Sequence, residues 1–545
     1  MAKPEQDVLR GASRNVPAGI WGYSFASISP LDSEMESYTK KVDEIKEKVK
    51  EMLIQSTKEL SYNIEFIDLL CRLGVFYHFE DEIDTQLDHI FTILPNVLED
   101  NNYELSTLAT LFRVLRQHGY KMSSDVFKKF KDVDGEFKSS MINDVKGLLC
   151  LYEACFLAIH GEDILDEALS FARKHLETIA ENSSQHLQKH IRNALISPCH
   201  HNMARQDTLN YISFYEADES PNETLLKFAK LDFNRVQLIY RKELASVSTW
   251  WKNTSIVENL PYARDRITEA YIWAIGNMFE PQYGLSRMLL CKHVQLEAVV
   301  DDTYDSYATM DEVKQFAAAL ERFTADSIDE LPEYMQFLLR CILKFFEDTE
   351  KDVTEKCSYK ASYSREMLKE LARSYLVEKL WQNDGVVPSF DEYMPIGKVS
   401  STFGFVTSAV LQGIENMGIK EILWIRNSPP MVDSTLYFGR LMNDIAERKD
   451  ETKREDFPKG MDCYMKQYGV SRHEAIEAIL RLLDDKWKVM NEDSFKQTTV
   501  PKILRKYIFN FARMSMVFYR ERDYFTYESS SKESIEAMFI NPIPM

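Results

Sequence analysis

The sequence predicts an all-α protein, and three features of its composition and pattern support this fold class. Gly and Pro are scarce, at 18 and 17 of 545 residues, whereas the helix-forming residues Leu, Glu, Lys, Met and Ala recur throughout. Apolar residues recur at three- and four-residue spacing, for example in "LSTLATLFRVLRQHGY" (105–120) and "AIEAILRLLDDKWKVM" (475–490). Strand-type alternation of apolar and polar residues is rare. Together these features argue against a sandwich, a barrel or a Rossmann fold.

We expect two helical domains along the chain. The polar run "ADESPNET" (217–224) separates two long helical stretches, and "LLKFAKLDFNRVQLIYRKEL" begins a new helix directly after it. The predicted N-terminal domain therefore covers residues 1–222 and the C-terminal domain residues 223–545.

The overall composition excludes several classes of function. A net charge of −20 and a pI near 5.2 argue against nucleic acid as the main partner, because phosphate recognition needs a basic surface. The eight cysteines show no metal-ligand spacing and indicate a reducing compartment. No stretch approaches eighteen uninterrupted apolar residues, and the first twenty residues lack the apolar core of a secretory signal. We expect a cytoplasmic monomer.

Three aspartates follow a buried apolar run in "AVVDDTYDSYAT" (298–309). On an α-helix, Asp301 and Asp305 lie about 40° apart, with Asp302 beside them. A polar helix end in solvent is one explanation, but carboxylates stacked in this way repel each other unless they share a cation. Mg²⁺ prefers oxygen ligands and retains places for water and phosphate oxygens. The segment therefore predicts a site for a divalent ion and a phosphorylated substrate.

A second row of oxygen ligands lies in "RLMNDIAERKDETKRE" (440–455). Asn443, Glu447 and Glu451 follow one another at spacings of four and spread over about 80° of one helical face. A solvated charged helix is the alternative, but this row also begins directly after an apolar segment. Two such rows indicate a cluster that holds several metal ions.

Arginines accompany both rows. "PYARDRITEAYIW" (261–273) places Arg264 and Arg266 two residues apart before a predicted helix, and Arg440 precedes Asn443 by three residues. Each arginine alone is typical of a protein surface. Next to metal ions, however, guanidinium groups are natural partners of a diphosphate and stabilise its charge as it departs.

With these motifs the whole chain resembles a plant class I terpene synthase of the sesquiterpene type. The DDxxD motif of that family is "DDTYD" (301–305), its second metal motif is "NDIAERKDE" (443–451), and its RxR motif is "RDR" (264–266). "HGEDILDEAL" (160–169) and "FEPQYGLSR" (279–287) are also similar to the family. The resemblance implies a catalytic C-terminal α-bundle and an N-terminal relic helical barrel without chemistry of its own.

The resemblance also implies roles for particular residues. The implied ligands of three Mg²⁺ ions, with Mn²⁺ as an alternative, are Asp301, Asp302, Asp305, Asn443, Glu447 and Glu451, of which Asp301 and Asp305 are expected to bind directly. The implied diphosphate ligands are Arg264, Arg266 and Arg440. The resemblance implies cavity or catalytic roles for Trp273, Tyr519 and Asp523. Because aromatic and small polar residues should line such a cavity, Thr402 and Phe403 are further candidates, with Ser400 and Ser401 beside them just before Gly404, where we expect a helix to break. The Trp273 ring would stabilise a carbocation by about 2 kcal/mol.

The sequence departs from the family pattern at three places. Glu447 stands where the family usually has Ser or Thr, but a carboxylate is still an oxygen ligand, so we expect metal binding to survive. The C-terminal "GDGYT" reads "RDYFT" (522–526), which keeps Asp523 but replaces Gly by Tyr524 and Tyr by Phe525. In the family this segment covers the site, and a Tyr–Asp relay, here Tyr519 and Asp523, reprotonates neutral intermediates in some members. A tandem-arginine motif of plastid monoterpene-type members is missing from "SRNVPAGIW" (13–21).

The sequence therefore predicts a cytoplasmic sesquiterpene synthase. It would ionise farnesyl diphosphate, release diphosphate, and cyclise the cation to a hydrocarbon or an alcohol. One alternative is a monoterpene synthase that uses geranyl diphosphate. A chain-elongating prenyltransferase would need a second full DDxxD, and a non-catalytic isoprenoid-binding protein would tolerate Asp301→Ala and Glu451→Ala. The acidic segments "DVDG" (132–135) and "LLDDKW" (482–487) are interpreted as surface.

Overall fold

The computed structural model describes residues 19–99, 103–352, 358–448, 459–496, 499–525 and 532–545. It is 78% helical, and its described ranges contain no strand beyond an isolated bridge between Lys131 and Phe137. The predicted all-α fold class is confirmed.

The α-helices fall into two runs, before and after the polar segment at 217–222. The first run is α1 (Asp32–Ser56), α2 (Leu60–Arg72), α3 (Glu80–Glu99), α4 (Leu105–Gln117), α5 (Val145–Cys155), α6 (Asp163–Asn182), α7 (Gln185–Ile196) and α8 (Ala204–Glu216). The second begins with α9 (Glu223–Thr254), α10 (Ile256–Asn259), α11 (Ile267–Asn277), α12 (Gly284–Asp302), α13 (Met310–Arg322), α14 (Glu333–Asp352), α15 (Ser358–Asn383) and α16 (Phe390–Ser400). It ends with α17 (Phe403–Gly413), α18 (Ile419–Arg426), α19 (Pro430–Arg448), α20 (Gly460–Tyr468), α21 (Arg472–Ser494), α22 (Lys502–Phe518) and α23 (Lys532–Phe539).

The chain forms two compact units. The C-terminal unit comprises residues 1–30, 239–484 and 502–541, and the N-terminal unit comprises residues 31–238, 485–501 and 542–545. The helix predicted after "ADESPNET" begins at Glu223, but the division between the units falls within it, between Leu238 and Ile239. Neither Gly nor Pro interrupts these 32 residues, so one helix continues through the division. The functional boundary at residue 222 stays a prediction.

The N-terminal unit is built around α4, which packs against α2 and α5. Every residue of α4 from Leu105 to Arg116 is buried, because helices cover it on all sides. The "DVDG" segment forms an exposed turn in which Asp132 accepts hydrogen bonds from the backbone N–H groups of Asp134 and Glu136. This surface position agrees with the interpretation of the sequence.

The core of the C-terminal unit is formed by α12, which packs against α11 and α17. The helix α22 lies against both α11 and α19, and α15 packs against α16 and α17. All residues of α11 are buried, as its apolar composition requires. Among the described helices of the chain, none is both long and apolar enough to cross a membrane. The packing places the ends of the two predicted metal-binding helices, α12 and α19, at one cavity.

Candidate active site

A cavity in the C-terminal unit has a volume of about 1120 Å³, including its open mouth. The sequence-predicted site residues that line it are Arg264, Arg266, Trp273, Asp301, Asp305, Ser400, Ser401, Thr402, Arg440, Asn443, Glu447, Tyr519 and Asp523. The cavity thus brings together residues that are up to 259 positions apart in the chain.

Asp302 and Phe403 are placed behind the cavity wall. Asp302 is 1% exposed, accepts a hydrogen bond from the Arg264 backbone N–H (2.8 Å) and forms an ion pair with Arg264 Nε (2.8 Å). It therefore holds Arg264 in position. Phe403 is buried and packs edge-on against Phe511 with ring centroids 5.0 Å apart. Glu451 lies outside the described residues.

The α-helix that carries the aspartates gives way to a π-helical turn at the site. The helix α12 ends at Asp302, and residues Thr303–Tyr307 form a π-helical turn, so Asp305 is not on the regular α-helix that its spacing predicted. The Thr303 hydroxyl donates to the Val299 carbonyl (2.7 Å), and the Ala308 N–H bonds to the Thr303 carbonyl five residues back (2.9 Å). A threonine hydroxyl that competes for a helix carbonyl loosens the regular turn, and π-turns are frequent at functional sites.

Acidic side chains outnumber basic ones around the cavity. The lining contains six carboxylates and four cations: Glu297, Asp301, Asp305, Glu378, Glu447 and Asp523 against Arg264, Arg266, Arg440 and Lys459. One carboxylate oxygen each of Asp301, Asp302 and Asp305 lies within 4.8 Å of the others. Burial raises the pKa of Asp301 well above its usual value, and Asp305 raises it further, while Arg264 opposes the shift. An all-oxygen donor set that repels itself in this way fits Mg²⁺.

The second predicted ligand row lies on α19, where Asn443 and Glu447 face the cavity. Lys459 forms an ion pair with Glu447 (2.5 Å), and Arg440 donates to the Asn443 side-chain oxygen. Arg440 also pairs with Asp444 at 2.7 Å. Burial works to lower the pKa of Arg440, but Asp444, Tyr393, Glu378 and Glu447 together more than offset it and the pKa is raised. A lone lysine carries no sequence signal, which is why Lys459 was not predicted.

The two arginines of "RDR" occupy different environments. Arg264 bridges Asp301 (2.7 Å) and Asp302, so it is tied to the aspartate helix. Arg266 is 1% exposed, and its Nε donates to the Phe525 carbonyl (2.7 Å). Gln295 fixes the loop between them: it accepts from the Arg266 N–H (3.0 Å) and donates to the Arg264 carbonyl (2.8 Å). The "RDR" segment therefore holds the C-terminal segment through Arg266.

Aromatic rings form another part of the cavity. Trp273 is surrounded by Phe511, Phe518 and Phe525, with centroid distances of 5.4, 5.1 and 6.0 Å. Phe525, which replaces the family tyrosine, thus contributes a ring without a hydroxyl. These π-faces provide the kind of surface that stabilises a cation without reacting with it.

The segment between α16 and α17 also reaches the cavity. Thr402 adopts a left-handed backbone conformation, with φ of 68°. The helix breaks there, two residues before Gly404, and Gly404 itself lies within α17. A β-branched residue in this region is strained, and such strain is concentrated at functional sites.

The lining residues that sequence reasoning missed include Glu297, Tyr375 and Glu378. The Tyr375 hydroxyl donates to Glu297 Oε1 (2.5 Å), and the Ser400 hydroxyl donates to Glu378 Oε1 (2.6 Å). Burial raises the pKa of Glu297 to about 7 and also raises the pKa of Glu378. The available signal for Glu297 was its spacing, since it precedes Asp301 by four residues and so shares its helix face.

Near the C-terminus, Tyr519 and Asp523 both line the cavity. Burial raises the pKa of Tyr519 well above its usual value, and Asp523 adds to the shift. Asp523 also accepts a hydrogen bond from the Phe525 N–H (2.9 Å), which fixes the turn that presents the Phe525 carbonyl to Arg266.

Comparison with known proteins identifies the class of this site. The terpene synthase N-terminal domain matches residues 20–195, and the metal-binding domain of the terpene synthase family matches residues 252–489. The chain is 57% identical to "Terpene synthase 5" of Ricinus communis over 99% of this chain and 98% of that protein. Its fold is similar to that of a limonene synthase solved with 2-fluorolinalyl diphosphate (TM-score 0.91, 30% identity, 98% of this chain and 100% of the other).

Isoprene synthase from grey poplar leaves, solved with three Mg²⁺ ions and dimethylallyl-S-thiolodiphosphate, is also similar (TM-score 0.87, 29% identity, 96% of this chain and 99% of the other). The chain belongs to the terpene synthase family. It is therefore an enzyme of the lyase class that acts on a prenyl diphosphate.

Proposed function

We propose that the chain is a sesquiterpene synthase, which converts farnesyl diphosphate to a cyclic C15 hydrocarbon or alcohol and releases diphosphate. The observation that supports the proposal is the division of one cavity into a charged region and an aromatic region. The charged region suits the diphosphate, and the aromatic region suits the hydrocarbon chain and the cation that forms from it.

At the charged region, Asp301 and Asp305 on one side and Asn443 and Glu447 on the other would hold Mg²⁺, with Glu451 as a further predicted ligand. Bound Mg²⁺ would supply positive charge to the diphosphate oxygens. Three Mg²⁺ ions are expected, as in the isoprene synthase structure.

The cations of the chain itself are Arg264, Arg266, Arg440 and Lys459. Their donors bind the diphosphate oxygens and stabilise the charge that develops as the C–O bond breaks.

At the aromatic region, Trp273 and its neighbouring phenylalanines bind the hydrocarbon chain and stabilise the carbocation by about 2 kcal/mol for a well-placed, desolvated ring. The Arg266–Phe525 hydrogen bond keeps residues 523–525 at the cavity. Covering the cavity in this way excludes water, which would otherwise capture the cation.

The choice of farnesyl diphosphate is supported by the missing tandem-arginine motif and by the resemblance of the complete motif set to sesquiterpene-type members. The proposal includes a cytoplasmic location and a monomeric state. Free cysteines throughout the described ranges are typical of a reducing compartment.

The test is to incubate the purified protein with Mg²⁺ and, separately, with geranyl, farnesyl or geranylgeranyl diphosphate. Diphosphate release is measured by a coupled assay, and volatile products are identified by gas chromatography–mass spectrometry. We expect a cyclic C15 product from farnesyl diphosphate that disappears with EDTA. The Asp484→Ala variant, which alters an exposed acid of α21, serves as the control for the Asp301→Ala variant, which should be inactive.

A cyclic C10 product obtained only from geranyl diphosphate would replace the proposal with the monoterpene alternative. A folded protein that releases no diphosphate from any of the three substrates would contradict the proposal altogether.

A further inference from the structure

Glu297 occupies an unusual position for a carboxylate in this cavity. It lines the cavity from α12 together with Val294, Ala298 and Asp301, which share its helix face. Along the helix axis it lies about 6 Å before Asp301. It therefore stands one turn away from the proposed metal ligands, beside apolar side chains of the same helix.

The hydrogen-bond partner of Glu297 differs from the ion-pair partners of Asp301 and Glu447, and it resembles that of Glu378, which accepts from the Ser400 hydroxyl (2.6 Å). Asp301 pairs with Arg264 at 2.7 Å, and Glu447 pairs with Lys459 at 2.5 Å. Among the described residues, Glu297 receives its hydrogen bond from a neutral group, the Tyr375 hydroxyl, which donates to Oε1 at 2.5 Å. The other carboxylate oxygen, Oε2, is left for the cavity.

Tyr375 fixes the orientation of this carboxylate. It lies on α15, is 5% exposed, and packs against the Tyr304 ring with centroids 5.9 Å apart. A phenol held in this way donates one hydrogen bond and leaves a carboxylate able to accept another proton. The same hydrogen bond disperses the charge on Glu297, which makes the carboxylate a weaker nucleophile toward a cation.

We propose that Glu297, oriented by Tyr375, is the base that ends the reaction. This inference rests on the proposed function, because it needs a carbocation in the cavity. A C–H bond next to the cationic carbon breaks, its electron pair becomes the new C=C bond, and the proton goes to Glu297 Oε2. The neutral acid then loses this proton to solvent after the products leave.

The position of Glu297 suits this role. The diphosphate would stay with the arginines and with the Mg²⁺ that Asp301 and Asp305 would hold, whereas the positive charge moves along the hydrocarbon chain as rings form. A base one helical turn from the diphosphate reaches hydrogens that are several bonds from the departed oxygen. If water is captured instead, the same carboxylate takes the proton of the attached water. Glu297 would thus determine which product leaves.

The test separates ionisation from proton removal. Diphosphate release and the product profile are measured for the wild type and for Glu297→Gln, Glu297→Asp and Tyr375→Phe, with folding checked by circular dichroism. For Glu297→Gln we expect diphosphate release to stay within about threefold, while the yield of the main wild-type product falls by about a hundredfold, the lower end of what a general base typically contributes. Other alkenes or alcohols should replace it.

The remaining variants test the carboxylate and its tyrosine partner separately. Glu297→Asp keeps a carboxylate and should retain more of the main product than Glu297→Gln. Tyr304→Phe is the matched control for Tyr375→Phe, because the Tyr304 hydroxyl is buried and has no hydrogen-bond partner within the described ranges. We expect Tyr375→Phe to shift the product profile in the same direction as Glu297→Gln, and Tyr304→Phe to preserve it.

An unchanged product profile in a folded, active Glu297→Gln protein would overturn the inference and assign the proton to another base, such as the released diphosphate. Loss of diphosphate release in that variant would also overturn it, since Glu297 would then act in ionisation. Absence of diphosphate release from the wild type would instead refute the proposed function itself, and with it any role for Glu297 as a base.

Discussion

Each unit of the molecule buries a group of charged side chains, and the two groups are built differently. In the N-terminal unit the group consists of Asp68, Arg72, Arg113, Glu153 and Asp207, here called the N-terminal charge cluster. Arg113 pairs with Asp68 at 2.5 Å, and Arg72 lies 3.8 Å from Asp207 and 4.0 Å from Glu153. Each arginine therefore meets an acid directly, as buried charges require.

Further contacts complete the N-terminal charge cluster from within the protein. The Tyr211 ring lies under the Arg72 guanidinium at 4.5 Å, and Glu153 accepts a hydrogen bond from the Cys199 N–H (2.8 Å). The Nε atoms of Arg72 and Arg113 have no hydrogen-bond partner among the described residues, so ion pairs and the stacked ring hold the cluster, which links α2, α4, α5 and α8.

In the C-terminal unit the charged side chains surround a cavity and carry an excess of acid, six carboxylates against four cations. Repulsion between the excess carboxylates destabilises the folded protein, and a bound cation would relieve this repulsion. The comparison indicates that burial of charge by itself does not mark a site. What marks the site is a charge imbalance that faces an open volume.

The largest expected effect comes from removing one acid of the cavity. Asp301→Ala should lower the rate of diphosphate release by about a thousandfold, the size of effect seen when an electrostatic group of an active site is lost. Its free energy of unfolding should stay within about 1 kcal/mol of wild type, because the lost ion pair with Arg264 is offset by relief of repulsion from Asp305. Single-turnover kinetics and urea unfolding measure the two quantities. A large loss of stability with retained activity would mean that Asp301 is structural.

The opposite pattern is expected in the N-terminal charge cluster. Asp68→Asn leaves Arg113, whose side chain is 3% exposed, without its charged partner. Breaking a buried pair in this way should cost about 3–5 kcal/mol of stability. Activity per folded molecule at low temperature should remain unchanged. Urea unfolding, with the assay repeated at the same temperature, tests this, and a variant as stable as wild type would refute the structural role of the cluster.

A smaller effect is expected from ligands. Mg²⁺ with inorganic diphosphate should stabilise the wild type by about 2.7 kcal/mol when the free ligand is at a hundred times its dissociation constant. The Asp68→Asn protein should gain the same increment, because its cavity is intact, whereas Asp301→Ala should gain little. Thermal unfolding with and without the ligands measures the shift. An equal shift in both variants would place the binding site elsewhere.

Much of the fold could be predicted from the sequence pattern. The apolar spacing predicted helices where α4 and α21 lie, and the polar run at 217–224 predicted the start of α9. The division inside α9 could not be predicted, because it depends on which neighbours pack against each half of an unbroken helix. The π-turn after Asp302 depends on one hydroxyl, that of Thr303, which a periodicity argument treats as any other side chain.

The candidate site was predictable where residues cluster in the chain and unpredictable where they stand alone. The aspartates and "RDR" form short motifs, so their grouping is visible in one segment. Lys459, Tyr375 and Glu378 reach the cavity as isolated residues of separate helices or loops, and only the tertiary packing brings them there. The shared helix face of Asp301 and Asp305 already set them apart from Asp302, and burial places Asp302 behind Arg264.

The smallest expected effect is the difference between the two units in how their stability responds to acid. Burial lowers the pKa of His293, in the C-terminal unit, to about 3. Its ring is fully buried: Nδ1 lies 2.8 Å from the Leu289 carbonyl, so Nδ1 donates, and Nε2 lies 3.0 Å from the Ser364 hydroxyl. Because Nδ1 of the neutral imidazole donates, Nε2 accepts from the Ser364 hydroxyl, and the Ser408 hydroxyl lies 2.7 Å from Ser364 and 2.5 Å from the Phe405 carbonyl. Protonation of Nε2 would break its hydrogen bond from Ser364.

The sign of the pH dependence follows from this arrangement. His293 takes up a proton near pH 6.5 in the unfolded state but not in the folded state. The free energy of unfolding is therefore highest above about pH 6.5. It falls as the pH falls toward 3, by up to about 1.4 kcal/mol per pH unit. Burial also lowers the pKa of His190, in the N-terminal unit, to about 3. This ring stacks on Phe214, with ring centroids 3.7 Å apart, and is partly exposed. We therefore expect the free energy of unfolding to change less steeply with pH because of His190 than because of His293. Urea unfolding of His293→Gln and His190→Gln separates the two contributions. It is measured between about pH 7.5 and about pH 5, on both sides of the ordinary histidine pKa. If His190→Gln flattened the slope more than His293→Gln, the N-terminal unit would be the more acid-sensitive of the two, and the hydrogen-bonded chain at His293 would not be the source of the effect.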